Sequence, residues 1–350
     1  MSKKIYYPLV KTRDAEIKGI RNLRDDVKDC IIPVFELTRS RISQKTNPDG
    51  DIHKRMRQVS EAVGDRQFIL DICTSPKYLN VQLEQLLVPD HGFYEWQQFL
   101  KAYSDLKIIP ALHIYSEDDF SEVVKFIQQM STSYNDFSLR LPIDLDDPDK
   151  IVSEITRVMP SKCTLHLLWD TSIEEKLITQ SNYSKFAENI SRSINSISEH
   201  TCSIYHIMTG SSFPLVPADL GDDDKGSFPI YEEIIFSTLQ NKFREIKYGD
   251  YGSVCPKQVE MKGGTFVPRI DISLKDRFIY RRYRRGEDGI GGYKRCANEI
   301  VHNSEYTSLN CWADEQIAKA LIEPEGKSPA YWLAIRVNYY ITSRVRLRKN

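Results

Sequence analysis

Acidic side chains stand at the ends of five of the eight short apolar runs in this 350-residue sequence. Carboxylates that converge on one end of a sheet can hold Mg²⁺ or Mn²⁺ through oxygen ligands. Two of them can instead divide the acid and base roles of a hydrolytic reaction, once their surroundings separate their pKa values. A single member could equally cap the next helix or pair with a lysine or arginine. The candidate catalytic residues are Glu36, Asp71, Asp144, Asp170 and Asp250.

Turns rich in glycine and serine follow the seventh and eighth apolar runs. Glycine lets backbone N–H groups approach an anion closely, and serine adds a hydroxyl donor. In barrel enzymes the loops after strands seven and eight frequently bind phosphate. Neither turn matches a P-loop, and ordinary turns have the same composition. The candidate phosphate-binding residues are Gly210, Ser211, Ser212, Gly252 and Ser253.

Arginine and aromatic residues alternate in one segment of the C-terminal third of the chain, residues 277–285. Arginine suits contact with phosphate, and aromatic rings suit stacking on exposed bases. The alternative is an edge strand whose charges prevent pairing with another sheet, or a strand whose arginines bind the acidic body of the protein. The candidate nucleic-acid-binding residues are Arg277, Tyr280, Arg281, Arg282, Arg284 and Arg285.

The charge is distributed unevenly along the chain, although the formal net charge is only -1. Residues 261–350 contain 17 lysines and arginines against 10 acidic residues, whereas the preceding 260 residues contain 31 against 39. A basic C-terminal part of this kind favours a polyanionic or acidic partner. The overall charge is nevertheless unlike that of a dedicated nucleic-acid-binding protein.

The elements that must position these residues are predicted from the apolar runs, which are separated by segments of helical periodicity. Near-continuous apolar runs are typical of parallel strands covered on both sides. Eight strands alternating with helices over about 255 residues predict a (β/α)8 TIM-type barrel over residues 1–255. The rival is a doubly wound open sheet, but the first turn lacks the usual glycines. The runs begin near Ile5, Ile31, Phe68, Lys107, Phe137, Cys163, Ser203 and Ile246.

Beyond residue 255 the alternation of strand and helix stops. Two strands are predicted in the segments VPRIDIS and DRFIYRRY, followed by helices near residues 292–302 and 332–346. We therefore expect a small α+β appendage over residues 256–350, with the arginine-rich strand inside it.

Composition excludes several classes of protein. The hydrophobic content of 41% is sufficient for a packed core. No apolar run reaches the roughly 18 residues that a membrane span needs. The seven cysteines form no C-x-x-C pair, so neither a zinc site nor a disulfide framework is indicated. His113 and His166 have no partner at metal-ligand spacing, and His113 could lie in the core or at the barrel end. We expect a soluble, reduced, cytoplasmic protein without membrane contact.

Several short motifs together resemble the "beta protein" family of phages and bacteria. The opening YYPLVKTRDAEIKGIRNL and the second run IIPVFEL resemble the start of that family, as do FILDIC, TGSSFP, KYGDYGS and the closing WLAIRVNYYITSRV. Ala15 stands where the family usually has glycine, and Tyr339 and Tyr340 replace histidines common in the closing stretch. The residues that match the start of the family are Tyr7, Pro8, Glu16, Leu23, Pro33 and Glu36.

The resemblance implies a TIM-type barrel with an added C-terminal segment. It also implies a phage or bacterial antiviral-defence context, in which members sometimes occur beside nuclease-like proteins. Two functions follow as hypotheses. The first is a component that binds a nucleic acid or a protein partner, for example a nuclease of the same operon, through its basic C-terminal region. The second is a metal-dependent hydrolase of a phosphate-containing substrate, with its site at the carboxyl end of the barrel strands.

Overall fold

The computed structural model describes residues 3–115, 118–173, 175–217, 224–257, 266–284 and 292–349. Within these ranges the strands are β1 (Tyr6–Lys11), β2 (Val34–Leu37), β3 (Phe68–Ile72), β4 (Ile108–Pro110), β5 (Asp136–Pro142), β6 (Thr164–Asp170), β7 (Ser203–Thr209), β8 (Lys225–Pro229), β9 (Lys247–Asp250), β10 (Arg269–Ser273) and β11 (Arg277–Arg282). The helices are α1 (Asp14–Arg21), α2 (Asp25–Lys28), α3 (Ile52–Val63), α4 (Val81–Leu86), α5 (Asp90–Ala102), α6 (Ser121–Met130), α7 (Pro148–Thr156), α8 (Tyr183–Ser196), α9 (Tyr231–Lys242), α10 (Tyr293–Val301), α11 (Trp312–Ala320) and α12 (Pro329–Lys349). Among the helices of the described ranges, none combines the length and the apolar character needed to cross a membrane.

Eight parallel strands form one sheet that nearly closes into a barrel, in the order β4-β3-β2-β1-β9-β7-β6-β5. The two end strands meet through a bridge between Ala111 and Ser138, where the Leu112 N–H donates to the Ser138 carbonyl at 2.8 Å. Each strand falls in one of the eight apolar runs from which it was predicted. With helices surrounding the sheet, the architecture is mixed α/β with a (β/α)8-like arrangement.

The inside of the barrel has an apolar layer and, beyond it, a charged layer. The apolar layer includes Leu9, Val34, Ile69 and Leu168. Because side chains alternate between the two faces of a strand, residues two positions further on point to the same side. In the same four strands those residues are Lys11, Glu36, Asp71 and Asp170. The carboxyl ends of the strands thus bring cations and carboxylates together inside the barrel.

Helices cover the outer face of the barrel with apolar stripes. The stripe predicted for the first helical segment, Ile17, Ile20, Leu23 and Val27, is buried. At the start of α7, the Asp147 side chain accepts from the Lys150 N–H at 3.1 Å. This N-cap, followed by a proline, was predicted from the sequence and fixes where the helix begins.

A second, antiparallel sheet has the order β10-β11-β8. The strands β10 and β11 and the helices α10 and α12 were predicted, whereas β8 and α11 were not. Helix α12 packs against α1, where Gly19 leaves room for Val337. The Gly19 carbonyl accepts from the Asn338 side chain at 3.1 Å. A side chain at Gly19 would collide with Val337. The division of the chain into two domains at residue 255 stays a prediction.

Candidate functional site at the carboxyl end of the barrel

Arg140 lies at the centre of the charged layer. Its guanidinium donates to Glu36 Oε1 at 2.8 Å and lies 3.2 Å from Asp71 Oδ2 and 3.7 Å from Asp170 Oδ2. These carboxylates come from three different strands, β2, β3 and β6. A planar guanidinium can contact several carboxylates at once because its N–H groups diverge in a fixed geometry. Arg140 therefore joins three of the five acids predicted from the sequence.

Two more side chains complete this charged cluster, which we define as Lys11, Glu36, Asp71, Arg140, Asp170 and Tyr251. The ammonium of Lys11 lies 2.8 Å from Glu36 Oε2. The hydroxyl of Tyr251 donates to Asp170 Oδ2 at 2.7 Å. The Ser172 N–H donates to the other oxygen of Asp170 at 2.8 Å. Each carboxylate of the cluster therefore has a donor or a cation beside it, as buried charges require.

The carboxyl groups of the cluster differ in acidity. Burial would raise the pKa of Glu36, but the charges of Lys11 and Arg140 outweigh it and lower this pKa to about 2. Burial raises the pKa of Asp170 to about 6, although the charge of Arg140 opposes the rise. Glu36 is therefore ionised near neutral pH, whereas Asp170 becomes partly protonated slightly below neutral pH. Environments that separate two carboxyl groups in this way are typical of functional sites.

A cavity of about 800 Å³ opens over the charged cluster. Lys11, Glu36, Asp71, Arg140 and Tyr251 line its floor. The side chains of Glu36 and Asp71 keep 7% and 11% of their surface exposed, whereas Asp170 keeps none. A bound molecule can therefore touch Glu36 and Asp71 directly, and it can feel Asp170 only through its neighbours. The cavity volume lies in the range usual for small-molecule sites.

His113 and Tyr115, from the loop after β4, form part of the wall of this cavity. The rings of Phe93 and Trp96 lie 5.9 Å and 5.7 Å from the His113 ring. Burial lowers the pKa of His113, so the imidazole is neutral at neutral pH. Its Nε2 atom is buried and has no hydrogen-bond partner. The sequence left the place of His113 open, and the structure puts it at the cavity.

The residues of the cluster do not fit a divalent metal ion. Within the described ranges, no group of three His, Cys, Asp or Glu side chains is arranged to hold a metal. Arg140 and Lys11 already supply positive charge to these carboxylates, and they would repel a metal cation. The suggestion of Mg²⁺ or Mn²⁺ at these carboxylates is therefore not supported by the side chains present.

Two of the predicted acids lie outside the cluster. Asp144 is half exposed and pairs with Lys176 at 2.8 Å, beside a smaller cavity of about 380 Å³. Asp250 is buried on the other face of the sheet, where it accepts from the Tyr340 hydroxyl at 2.7 Å and from the Tyr6 hydroxyl at 2.5 Å. Within the described part of the chain, Arg140 forms no ion pair with either of these two carboxylates.

Donors of three of the five predicted phosphate-binding residues have protein partners. The Ser212 N–H and hydroxyl both donate to the carboxylate of Glu232. The Ser211 hydroxyl donates to the Val254 carbonyl at 3.1 Å, and the Gly252 N–H donates to Asp250 at 2.8 Å.

The other two members of these turns have special backbone environments. A side chain at Gly210 would collide with Thr171. Ser253 is buried with a φ of 70°. The turns are therefore built into the fold, and phosphate binding there stays a prediction.

Most of the arginine-rich segment is engaged within the protein. Arg277 pairs with Asp276 and Glu305, and the Arg281 guanidinium lies 3.3 Å from Glu299. The ring of Tyr280 is fully buried, so it is not exposed to a base.

The end of this segment differs from its start. Arg282 is half-buried and Arg284 is exposed. Arg285 lies outside the described residues. Among the described residues of this end, the exposed Arg284 can contact a polyanion.

Sequence reasoning did not single out Arg140, Lys11 or Tyr251 as site residues. A signal was present for the first two, because each is a charged residue in a near-continuous apolar run. Arginine and lysine are almost never buried without a charged partner. A cation in a buried strand therefore implies a carboxylate facing it.

The comparison with known proteins agrees with the resemblance seen in the sequence. Residues 6–346 match the sequence profile of the Beta protein family. The chain is also 24% identical to "Protein beta" of Enterobacteria phage P4, over 98% of this chain and 93% of the phage protein. The match spans both the barrel strands and the second sheet. This chain belongs to the Beta protein family.

Proposed function

We propose that this protein binds a small polar molecule in the cavity over the charged cluster, in a barrel of the TIM type. The proposal rests on the position of Arg140. Its guanidinium pairs with partly exposed carboxylates from two neighbouring strands at the floor of a cavity. Barrels of this type bind their ligands at the carboxyl ends of the strands. A buried ionic cluster is a poor stabilising device, so its presence at an open cavity favours a role in recognition.

The charge of the cluster decides between classes of ligand. Lys11 and Arg140 oppose Glu36, Asp71 and Asp170, which leaves a formal charge of -1, or zero when Asp170 is protonated. A phosphate group with two negative charges gains little from such a site, because each carboxylate repels it. A neutral molecule with hydroxyl or amine groups can instead donate to the carboxylates and accept from the cations. We therefore place an uncharged polar ligand ahead of the phosphate-containing substrate suggested by the sequence.

The test is a thermal-shift screen with a panel of inorganic phosphate, ribose, glucose, nucleosides, amino acids and Mg²⁺. A molecule that binds the folded state raises the melting temperature by mass action. We expect a neutral compound to raise the melting temperature of the wild type but not that of Asp71→Asn. Asp144→Asn is the matched control and should respond like the wild type. The proposal fails if no compound shifts the wild type, or if Asp71→Asn responds equally.

A reaction of the hydrolase class is a second candidate for the same cavity. Glu36 is ionised and partly exposed, so it can contact a reacting group directly, whereas the partly protonated Asp170 is fully buried and acts only through its neighbours. The test is turnover of the compounds found in the screen, with Glu36→Gln as the inactive variant.

A binding surface at the basic end of β11 is a separate candidate, in the phage or antiviral context suggested by the family. Its support is the exposed Arg284, in the more basic part of the chain. The partner would be a nucleic acid or an acidic protein surface.

A further inference from the structure

The wall of the cavity has aromatic groups on one side and hydrogen-bonding groups on its floor. Tyr115 lines the cavity and is 78% exposed, which is unusual for a large aromatic residue. Its neighbour His113 lines the same wall. Exposed aromatic rings at a cavity are typical of sites that stack on a planar ring of the ligand.

The backbone behind this wall adopts an uncommon conformation. His91, Gly92 and Phe93 have successive φ values of 56°, 73° and 54°. Bulky residues rarely adopt positive φ, and such a turn persists only where its surroundings enforce it. Here the Gly92 N–H donates to Glu122 at 2.6 Å, and its carbonyl accepts from Gln97 at 2.6 Å.

This left-handed turn puts Phe93 against His113. The two ring centroids are 5.9 Å apart, and Phe93 lines the cavity although only 2% of it is exposed. Phe93 therefore supports the His113 ring from behind rather than contacting a ligand broadly. The unpartnered Nε2 atom of His113 is a second sign that this wall is shaped for more than internal packing.

The floor supplies groups for hydroxyls. Glu36 and Asp71 are directly paired in the register of neighbouring strands β2 and β3, and both face the cavity. Two adjacent carboxylates can accept from two adjacent hydroxyl groups of one molecule, as carboxylates do with ribose. Arg140 and Lys11 can donate to the oxygen atoms of those hydroxyl groups.

We propose that the ligand is a nucleoside, whose base stacks on Tyr115 and His113 and whose ribose hydroxyls donate to Glu36 and Asp71. This inference rests on the proposed binding function and names the ligand class. A nucleoside combines a flat aromatic ring with vicinal hydroxyls and carries no net charge, which are the three properties that the wall, the floor and the charge of the cluster select. The cavity of about 800 Å³ is large enough for a molecule of this size.

The test is calorimetric titration of the wild type with adenosine, guanosine, cytidine and uridine. We expect at least one to bind, and its 2′,3′-dideoxy analogue to bind at least tenfold more weakly because the carboxylates lose their donors. Tyr115→Ala should weaken binding about ten- to a hundredfold, the usual effect of removing a base-stacking ring. The matched control is Tyr94→Ala. Tyr94 is exposed on α5 and is not among the described residues that line this cavity, so this variant should bind like the wild type.

The outcomes separate this inference from the function on which it rests. If ribose or glucose binds and Asp71→Asn abolishes the binding, but no nucleoside binds more tightly, the cavity is a ligand site and the nucleoside assignment is wrong. An equal affinity for the dideoxy analogue, or an unchanged affinity of Tyr115→Ala, would also overturn the assignment. If no compound of either kind binds, both proposals fail together.

Discussion

The guanidinium of Arg140, on β5, donates to the carboxylate of Glu36, on β2, at 2.8 Å across the inside of the barrel. On the shorter way around the barrel, β3 and β4 lie between these two strands. The contact therefore joins parts of the chain that are 104 residues apart. A charged contact across the interior ties the shape of the cavity floor to the closure of the barrel.

Arg140→Met should destabilise the protein strongly. Methionine fills a similar volume but leaves Glu36 and Asp71 without their shared cation. Removing one partner of a buried ionic group usually costs about 3–5 kcal/mol, because the remaining charges stay buried. We expect a loss of this size in the free energy of unfolding, measured by denaturant titration near neutral pH.

The matched control is Arg157→Met. Arg157 pairs with Glu154 on the surface, where the arginine side chain is 67% exposed. Exposed pairs of this kind contribute about 0–1 kcal/mol. Equal losses for the two variants would show that Arg140 does not hold a buried charged cluster.

Glu232→Gln should flatten the dependence of stability on pH. Burial raises the pKa of Glu232 to about 7, against the opposing effect of the Ser212 hydroxyl that donates to it. The folded protein therefore keeps a proton that the unfolded chain releases above about pH 4.5, so wild-type stability falls between pH 4.5 and 7 and stays lower above pH 7. The difference between the pKa values corresponds to on the order of 3 kcal/mol.

The measurement is the free energy of unfolding from pH 4.5 to 8 for both proteins. The wild type should lose stability relative to Glu232→Gln as the pH rises. Glu245→Gln, which changes an exposed carboxylate, should keep the wild-type profile. Parallel curves for the wild type and Glu232→Gln would contradict the prediction.

Most of the fold could be predicted because its signals are local. The eight barrel strands are dense apolar runs, and the N-cap at Asp147 is visible in two adjacent residues. Strand β8 could not be found in this way. Its sequence, KGSFP, contains glycine and proline and lacks an apolar pattern, and it is a strand only because β11 pairs with it.

The candidate site was predicted in part, and the limits are physical. Strand alternation shows which residues share a face, but it does not show what covers that face. Tyr280 and Arg282 share a face of β11, yet the ring of Tyr280 is buried in one apolar cluster with Phe213, Phe228 and Tyr340 of distant segments. Likewise, Asp71 and Asp250 both end barrel strands, but one points into the barrel and the other toward α12. Only tertiary packing separates such cases.

Tyr340→Phe should destabilise the protein more at high pH, where Asp250 is ionised, than at low pH, where it is protonated. The Tyr340 hydroxyl donates to buried Asp250 at 2.7 Å. Burial raises the pKa of Asp250, and the hydroxyls of Tyr6 and Tyr340 oppose that rise by stabilising the carboxylate. Loss of a donor to a buried ionised group costs roughly 1.5–3 kcal/mol, and less when the group is protonated.

Tyr339→Phe is the comparison for this variant. Its hydroxyl donates to the Thr307 carbonyl at 2.9 Å, a neutral acceptor that does not titrate. The loss should therefore be smaller, about 0.5–1.5 kcal/mol, and independent of pH. Thermal unfolding of both variants over a series of pH values measures the difference. A loss for Tyr340→Phe that stays constant over the whole series would contradict the prediction.

The basic end of β11 should show its role in the salt dependence of nucleic-acid binding. Each phosphate neutralised on a single strand contributes roughly -0.7 to the slope of log affinity against log salt concentration. If Arg284 neutralises one phosphate, replacing it by glutamine should reduce the slope by about 0.7 and leave the melting temperature nearly unchanged. Arg277→Gln is the control, because its pairs with Asp276 and Glu305 keep it engaged within the protein, and it should leave the slope unchanged. If Arg284 instead holds the second sheet on the barrel, the variant should melt at a lower temperature. Absence of binding by the wild type to single- or double-stranded nucleic acid, even at low salt, would rule out the polyanion and leave an acidic protein surface as the partner.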